Sequence, residues 1–267
     1  MKITSKTKIC VVIGDPVEHS LSPQIHNAGY VAKNIDDQFV YVASRIQSKN
    51  LESFIKTIKI MNIRGVSVTN PHKIKIMSYL DQIDATAQKI GAVNTLVNDH
   101  GILKGYNTDW LGVTTPLERI TNLKNKQVAV LGAGGAARAA VFGLLQKNCQ
   151  VVIFNRTLAT AQKLAQEFNC QFASLTDITK IRNMDIIFNT IPESLTAEYL
   201  TDKQIIFDAI YSPYETALLK TAKTKNATII YGTEMLLYQA VAQFKLFTGI
   251  DAPVEQMRKT LLTNINL

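Results

Sequence analysis

Short runs rich in valine and isoleucine recur along the chain with segments of helical periodicity between them. That alternation restricts the fold to an α/β architecture built on parallel strands. Strands are predicted at residues 9–13, 39–42 and 65–69 in the first part, and at 127–131, 150–154, 185–189, 205–210 and 227–231 in the second. Between 42 and 65, Leu51, Phe54, Ile55, Ile58 and Met61 share one helical face, with Ser48 as the expected N-cap. A helix over 81–90 should stop at Gly91 and lead into a hairpin, 92–97 and 102–106, turned by Asp99-His100-Gly101. The helical segment after Asn107-Thr108-Asp109 contains Pro116, which predicts a kink or a later start. Near the end, Met235, Leu236, Ala240, Phe244 and Phe247 form an apolar stripe on a helix over 233–247, and another helix should follow Pro253.

At 267 residues the chain exceeds one usual domain and points to two lobes. We expect residues 1–108 with 238–267 to form one and 109–237 the other. The net charge of +8 is scattered rather than gathered in a stripe, which favours an anionic small molecule over nucleic acid. Cys10, Cys149 and Cys170 are odd in number and form no CxxC pair, so neither a disulfide framework nor a zinc site is expected. A reducing cytoplasm is the simplest compartment. The apolar stretch 9–13 is too short for a signal core, and no apolar run is long enough to span a bilayer.

The string Leu131-Gly132-Ala133-Gly134-Gly135-Ala136-Ala137 follows a predicted strand and opens a predicted helix. It is a GxGxxA form of the dinucleotide fingerprint in the required context. Gly132 permits the tight turn, Gly134 lets backbone approach a pyrophosphate, and Ala137 lets helix pack closely on strand. At the end of the next strand an NAD site usually carries a carboxylate for the ribose 2′-hydroxyl. Asn155-Arg156-Thr157 stands there instead. A guanidinium at that point stacks on adenine and pairs with a 2′-phosphate, so NADP(H) is the expected cofactor; a solvated arginine at a strand end is the plainer alternative.

In the first part, Gly14-Asp15-Pro16-Val17-Glu18-His19-Ser20-Leu21-Ser22-Pro23 is followed by Val68-Thr69-Asn70-Pro71-His72-Lys73, Ala92-Val93-Asn94-Thr95 and Asn107-Thr108-Asp109. With the glycine turn, Asn155-Arg156-Thr157, the segment from Asp208 to Tyr211 and that from Gly232 to Gln239, this order closely resembles the NADP-dependent shikimate/quinate dehydrogenases over nearly the whole chain. The resemblance implies a substrate domain and a Rossmann-type domain with ligands meeting in a cleft. It also implies reversible reduction of 3-dehydroshikimate to shikimate in aromatic amino-acid biosynthesis. By the same likeness, Ser20 and Ser22 bind the substrate carboxylate, Thr69, Asn94, Asp109 and Gln239 hold ring hydroxyls, and Tyr211 touches substrate. Gly132, Ala133, Gly134, Gly135, Ala136, Asn155, Arg156, Thr157, Ala209 and Gly232 touch the cofactor. Lys73 becomes the general acid and base, assisted by Asp109. A positioned ammonium gives that assignment chemical sense, because hydride delivery builds negative charge on the ketone oxygen. No metal or membrane is implied, and a homodimer is the assembly to test.

Plainer roles stand beside these. Asp109 reads equally as an N-cap, Ser20 and Ser22 as caps of the helix after Pro23, Tyr211 as packing and Lys73 as a solvated charge. His19, His26, His72 and His100 show no metal-ligand spacing and are taken as structural. Two departures from the family pattern matter. Ser67 stands where Asn is usual, and the segment from Asn189 through Ser194 lacks a Gly-Met. Both keep a quinate-active paralogue open, and a non-catalytic NADP-sensing module is the rival from another class.

Overall fold

The computed structural model describes residues 3–192 and 197–265. The chain divides into two compact units, Met1–Thr108 with Gln239–Ile265, and Asp109–Tyr238. Each has its own six-stranded sheet and core. No helix among the described residues is long and apolar enough to cross a membrane.

The first unit comprises β1 (Lys8–Gly14), α1 (Ser22–Ala32), β2 (Phe39–Arg45), α2 (Leu51–Ile60), β3 (Gly65–Val68), β4 (Gln82–Ile83), α3 (Ala85–Ile90), β5 (Thr95–Asp99) and β6 (Ile102–Tyr106). Its sheet runs β2-β1-β3-β5-β6-β4. Strand β1 is parallel to β2 and β3, but the expected hairpin enters antiparallel to β3, so the sheet is mixed. Pleating divides the strands between two faces. Val11, Ile13, Val66, Val68 and Leu96 turn to α2, where Leu51, Ile55 and Ile58 cover them.

Four local expectations needed correction. Ser48 lies in a short turn of 3-10 helix, and Asn50 takes the N-cap position of α2. Met61, past the helix end, is 56% exposed. The helix predicted from 81 starts only at Ala85, because Asp81 pairs with Lys59 and accepts the Leu103 amide at 2.7 Å, which draws the chain beside β6. Asp84 is the cap, accepting from the Thr86 amide at 2.9 Å, and Gly91 closes the helix with φ +69°. The first hairpin strand begins at Thr95 rather than 92, and the turn narrows to His100 and Gly101, both at positive φ.

The second unit comprises α4 (Asp109–Glu118), β7 (Gln127–Leu131), α5 (Gly135–Gln146), β8 (Gln150–Asn155), α6 (Leu158–Phe168), β9 (Gln171–Ser174), β10 (Ile186–Asn189), β11 (Ile205–Asp208), α7 (Ala217–Thr224) and β12 (Thr228–Ile230). Helix α4 starts at Asp109 despite Pro116, which sits in the last turn. Asp109 is therefore the first residue of the helix rather than its cap. The sheet is wholly parallel in the order β12-β11-β10-β7-β8-β9, which reverses direction between β7 and β10. This is the doubly wound order, with helices on both faces. Val128, Val130 and Phe188 pack with Ala137, Val141 and Leu144 of α5, while Leu131, Ile187 and Ile206 pack with Leu218, Leu219 and Ala222 of α7. Strand β9 and helices α6 and α7 were not anticipated.

Helix α8 (Gly232–Thr248) begins in the second unit and ends in the first, and α9 (Val254–Asn264) follows Pro253 as expected. In the first unit α8 covers the second sheet face. A Cβ on Gly65 would collide with the Phe247 ring, so glycine there lets helix and strand approach. His26 of α1 stacks on Tyr41 at 4.3 Å between ring centres.

Candidate functional site

In the first unit, topology sets one edge of the sheet apart. The parallel strands β1 and β3 end there at Gly14 and Val68, while the antiparallel β5 starts there at Thr95 and β6 ends there at Tyr106. The segments carrying Ser20, Thr69, Lys73, Asn94 and Thr108 all leave from that edge. Backbone bonds knit them: Thr69 N donates to Ile13 O at 2.9 Å, Asp15 N to Asn70 O at 3.0 Å and Val93 N to Lys73 O at 2.8 Å. A Cβ on Gly14 would strike the Thr69 methyl, so these two loops touch only because position 14 is glycine. The Asp15-Pro16 and Asn70-Pro71 peptides are both cis.

Ser22 is buried within the first turn of α1, and the N-cap position belongs to Leu21, which makes no side-chain cap. Ser20 is half-buried, and its Oγ accepts the Ser22 amide at 3.3 Å. Of the two serines, then, only Ser20 acts on the helix end. Thr69 and Lys73 are half-buried. His72 is buried, and its Nε2 faces the Ile46 carbonyl at 2.6 Å; a carbonyl can only accept, so this nitrogen carries the proton and the residue is a structural tie. Asn94 is buried, and its Oδ1 accepts from the Thr108 amide at 2.8 Å. Phe247 meets Gly65 and Gln243 meets Ser67, so one further turn of α8 carries Gln239 toward the level of Thr69.

In the second unit the glycine-turn and loop residues named above lie at or beyond the C-terminal ends of parallel strands, on both sides of the point where strand order reverses. Gly132 has φ +109°, and a Cβ there would collide with the Thr190 hydroxyl. Thr190 in turn donates to Leu131 O at 2.7 Å, which ties the ends of β7 and β10. A Cβ on Gly134 would stand in open space, and this residue is the N-cap of α5. The turn thus fits a dinucleotide pyrophosphate: backbone is bare where the phosphate would approach, and the first amides of α5 lie beyond it. Ala137 is fully buried against β-strand side chains, as close helix–strand packing requires.

Arg156 and Thr157 are exposed after β8, and Asn155 donates its amide to Thr157 O at 3.0 Å, which shapes the loop. Tyr211 is half-buried, and burial raises its phenol pKa. Gly232 lies against the backbone of Ile210 and Ala209, where a Cβ would come within 2.5 Å of Ile210 O. Gln239 and Asp109 are buried. Glu193 and Ser194, part of the departure noted after Asn189, lie outside the described residues.

Sequence reasoning missed two groups of residues. Asp208 is buried and accepts from Asn189 Nδ2 at 3.0 Å, Ile210 N at 3.1 Å and Thr216 Oγ1 at 2.6 Å. It anchors the loops after β10 and β11. Burial raises its carboxyl pKa, and the hydrogen bonds from Thr216, Ile210 and Asn189 oppose that shift. The second group is Tyr41, Gln243 and Thr95, which hydrogen-bond in the order Tyr41, Ser67, Gln243, Thr95 beneath Asn94, with Ser67 singled out above only as a departure from the family pattern. The strand register offered a signal for it, since Tyr41 aligns with Cys10, Cys10 with Gly65 and Ser67 with Thr95 on one face. Among the described residues, no group of His, Cys, Asp and Glu is arranged to hold a metal ion.

Comparison with known proteins bears on all of this. Residues 12–96 match the family model of the shikimate dehydrogenase substrate binding domain, 116–205 that of shikimate/quinate 5-dehydrogenase, and 232–262 that of the shikimate 5′-dehydrogenase C-terminal domain. The shikimate dehydrogenase (NADP+) of Methanosphaera stadtmanae is 42% identical, with 98% of this chain and 99% of the relative covered. A crystal structure of a shikimate dehydrogenase in complex with NADP+ superposes with a TM-score of 0.94 at 40% identity, covering 100% of this chain and 98% of the other. The Thermus thermophilus enzyme in complex with NADP(H) and shikimate gives 0.90 at 31% identity, covering 96% and 99%.

Proposed function

The chain belongs to the shikimate dehydrogenase family, and from that premise we propose that it catalyses the reversible, NADP-dependent reduction of 3-dehydroshikimate to shikimate, serving aromatic amino-acid biosynthesis. The observation that carries this reading is a likeness of about 40% identity to named relatives over nearly the full chain. We assign the substrate to residues 1–108 with 238–267 and the cofactor to 109–237. Bound NADPH supplies the hydride.

The protein's own residues do the rest. Ser20 and Ser22 bind the substrate carboxylate, Thr69, Asn94, Asp109 and Gln239 hold ring hydroxyls, and Tyr211 touches substrate. Lys73 Nζ gives its proton to the ketone oxygen as negative charge develops there, and takes it back in the oxidative direction. Asp109 assists. The cofactor is held by Gly132 to Ala136 at its pyrophosphate, by Asn155, Arg156 and Thr157 at the 2′-phosphate, and by Ala209 and Gly232 farther along. The absence of a carboxylate at positions 155–157 supports NADP over NAD.

A cytoplasmic site of action belongs to the same reading. All three cysteines are unpaired, and burial pushes Cys10 up to about 12 and Cys149 and Cys170 to about 11, keeping them as unreactive thiols. We include a homodimer, since β2 is an outer strand of its sheet and its Val42 is 43% exposed; sedimentation against concentration tests it. Ser67 favours one variant reading, a broader quinate/shikimate dehydrogenase. Crossing shikimate and quinate with NADP and NAD in a spectrophotometric assay tests both. Shikimate with NADP should give the highest kcat/KM. Preference for quinate would select the variant, preference for NAD would overturn the role of Arg156, and cofactor binding without turnover would leave only a sensing module.

A further inference from the structure

The glycine turn of the second unit is held at one peptide, the one that joins Leu131 to Gly132. Its N–H donates to the Phe154 carbonyl of β8 at 2.8 Å. Its carbonyl takes two donors from the end of β10, the Thr190 amide at 3.0 Å and the Thr190 hydroxyl at 2.7 Å. The two amide bonds continue the parallel ladders on either side, and they alone would satisfy this peptide. The hydroxyl bond is extra. A carbonyl oxygen has two lone pairs, so a second donor fixes the plane of the peptide as well as its place in the ladder. The φ of Gly132, +109°, is the first rotation after that plane, so whatever fixes the plane also fixes where the turn begins.

Thr190 is itself held. Asn189 closes residues 189–191 from inside, its Oδ1 accepting the Ile191 amide at 3.2 Å and its Nδ2 donating to the Ile191 carbonyl at 2.8 Å. An amide N–H can only donate and a carbonyl only accept, so both contacts agree on which end of the side chain is which. Nδ2 also donates to Asp208 Oδ1 at 3.0 Å, and Asp208 is kept in place by the Ile210 amide and the Thr216 hydroxyl. Residues 189–191 therefore cannot swing away from β7 without breaking the bonds of a buried carboxylate. They also wall Gly132: a Cβ there would strike the Thr190 hydroxyl and come within 3.0 Å of Ile191 Cγ2, whereas one on Gly134 would meet nothing within 4 Å. The turn is braced at its root and bare where a phosphate would approach.

We propose that Thr190 is a positioning residue for the cofactor's pyrophosphate: through the Leu131 carbonyl its hydroxyl sets the peptide plane from which the glycine turn starts, with Asn189 and Asp208 holding that hydroxyl in place. This rests on the assignment of the pyrophosphate to Gly132 through Ala136 and names the side chain on which that backbone site depends. Because the effect passes through the turn, it bears on the pyrophosphate and spares the 2′-phosphate, which is assigned to Asn155, Arg156 and Thr157.

The test titrates the whole chain with NADP+ and with adenosine 2′-monophosphate, which keeps the adenine and the 2′-phosphate but has no pyrophosphate. Thr190→Val keeps the side-chain volume and loses the hydroxyl. It should weaken NADP+ binding about tenfold, the size expected when one hydrogen bond to a buried carbonyl is lost, while the Kd of the monophosphate stays within twofold. Thr190→Ser, which retains the hydroxyl, should bring NADP+ back to within threefold of wild type. In turnover, Thr190→Val should raise the NADP+ KM about tenfold and leave the shikimate KM within twofold. Thr190→Ala, which also leaves the backbone bond to Leu131 intact, carries the same comparison if the valine variant does not fold. Equal weakening of both nucleotides marks a merely structural role and overturns the inference, as does wild-type NADP+ affinity in a folded valine variant or a serine variant no better than valine. If the wild type binds no NADP+, the proposed cofactor falls and the inference with it.

Discussion

The two sheets offer ligands different things. At the parallel sheet of the second unit, the features suited to a cofactor are backbone: a glycine at φ +109°, an open approach at Gly134 and the first amides of α5. At the mixed sheet of the first unit they are side chains, some buried and tied to one another through Tyr41, Ser67, Gln243 and Thr95. A backbone site is local and tolerates change in most neighbouring side chains. A side-chain site is only as good as its supports, each of which can be lost by a single substitution.

That contrast can be broken or sharpened. The largest effect is expected at Lys73. Lys73→Ala should lower kcat by about 10²–10⁴-fold, the usual worth of a positioned general acid, and leave NADP affinity intact. A wild-type kcat in that variant would remove the chemistry from the first unit. Next comes Gly132→Ala, which meets both an unfavourable φ and the Thr190 hydroxyl. It should destabilise the fold by about 1–3 kcal/mol in thermal or urea unfolding and weaken NADP binding in titration calorimetry. Unaltered cofactor affinity would mean that the turn does not hold the pyrophosphate.

At neutral pH the smallest effect concerns His26, which supports the first sheet from α1. Desolvation lowers its pKa from 6.5 to about 3, only partly offset by the Gln243 side chain nearby. A histidine with a depressed folded pKa binds fewer protons folded than unfolded between these values. Its contribution is therefore complete above pH 6.5 and is lost as pH falls toward 3, at about 1.4 kcal/mol per pH unit. His26→Phe should flatten the acid limb of a stability curve measured by urea denaturation. An acid limb of unchanged slope would show that other groups govern it.

Much of the second sheet was legible because its signals are local. Strand, glycine turn and helix lie within about twenty consecutive residues, and Gln127–Leu131 falls where apolar alternation placed it. The elements missed there, α6, α7 and β9, have no turn chemistry as loud as the glycines. In the first unit, the hairpin could be read from Gly101, but the start of α3 could not, since Lys59 and the Leu103 amide claim Asp81 from 22 residues away.

By itself the sequence determined the α/β class, the nucleotide turn with its missing carboxylate, and the family, because periodicity and short motifs survive without knowledge of distant contacts. Only the tertiary structure decided which residues stand behind the substrate loops and which way their protons point. Gln243 lies 149 residues beyond Asn94, and the polarity of the whole buried chain follows from one amide meeting a carbonyl that can only accept. Hydrogen-bond direction is a property of that meeting, and neither residue encodes it alone.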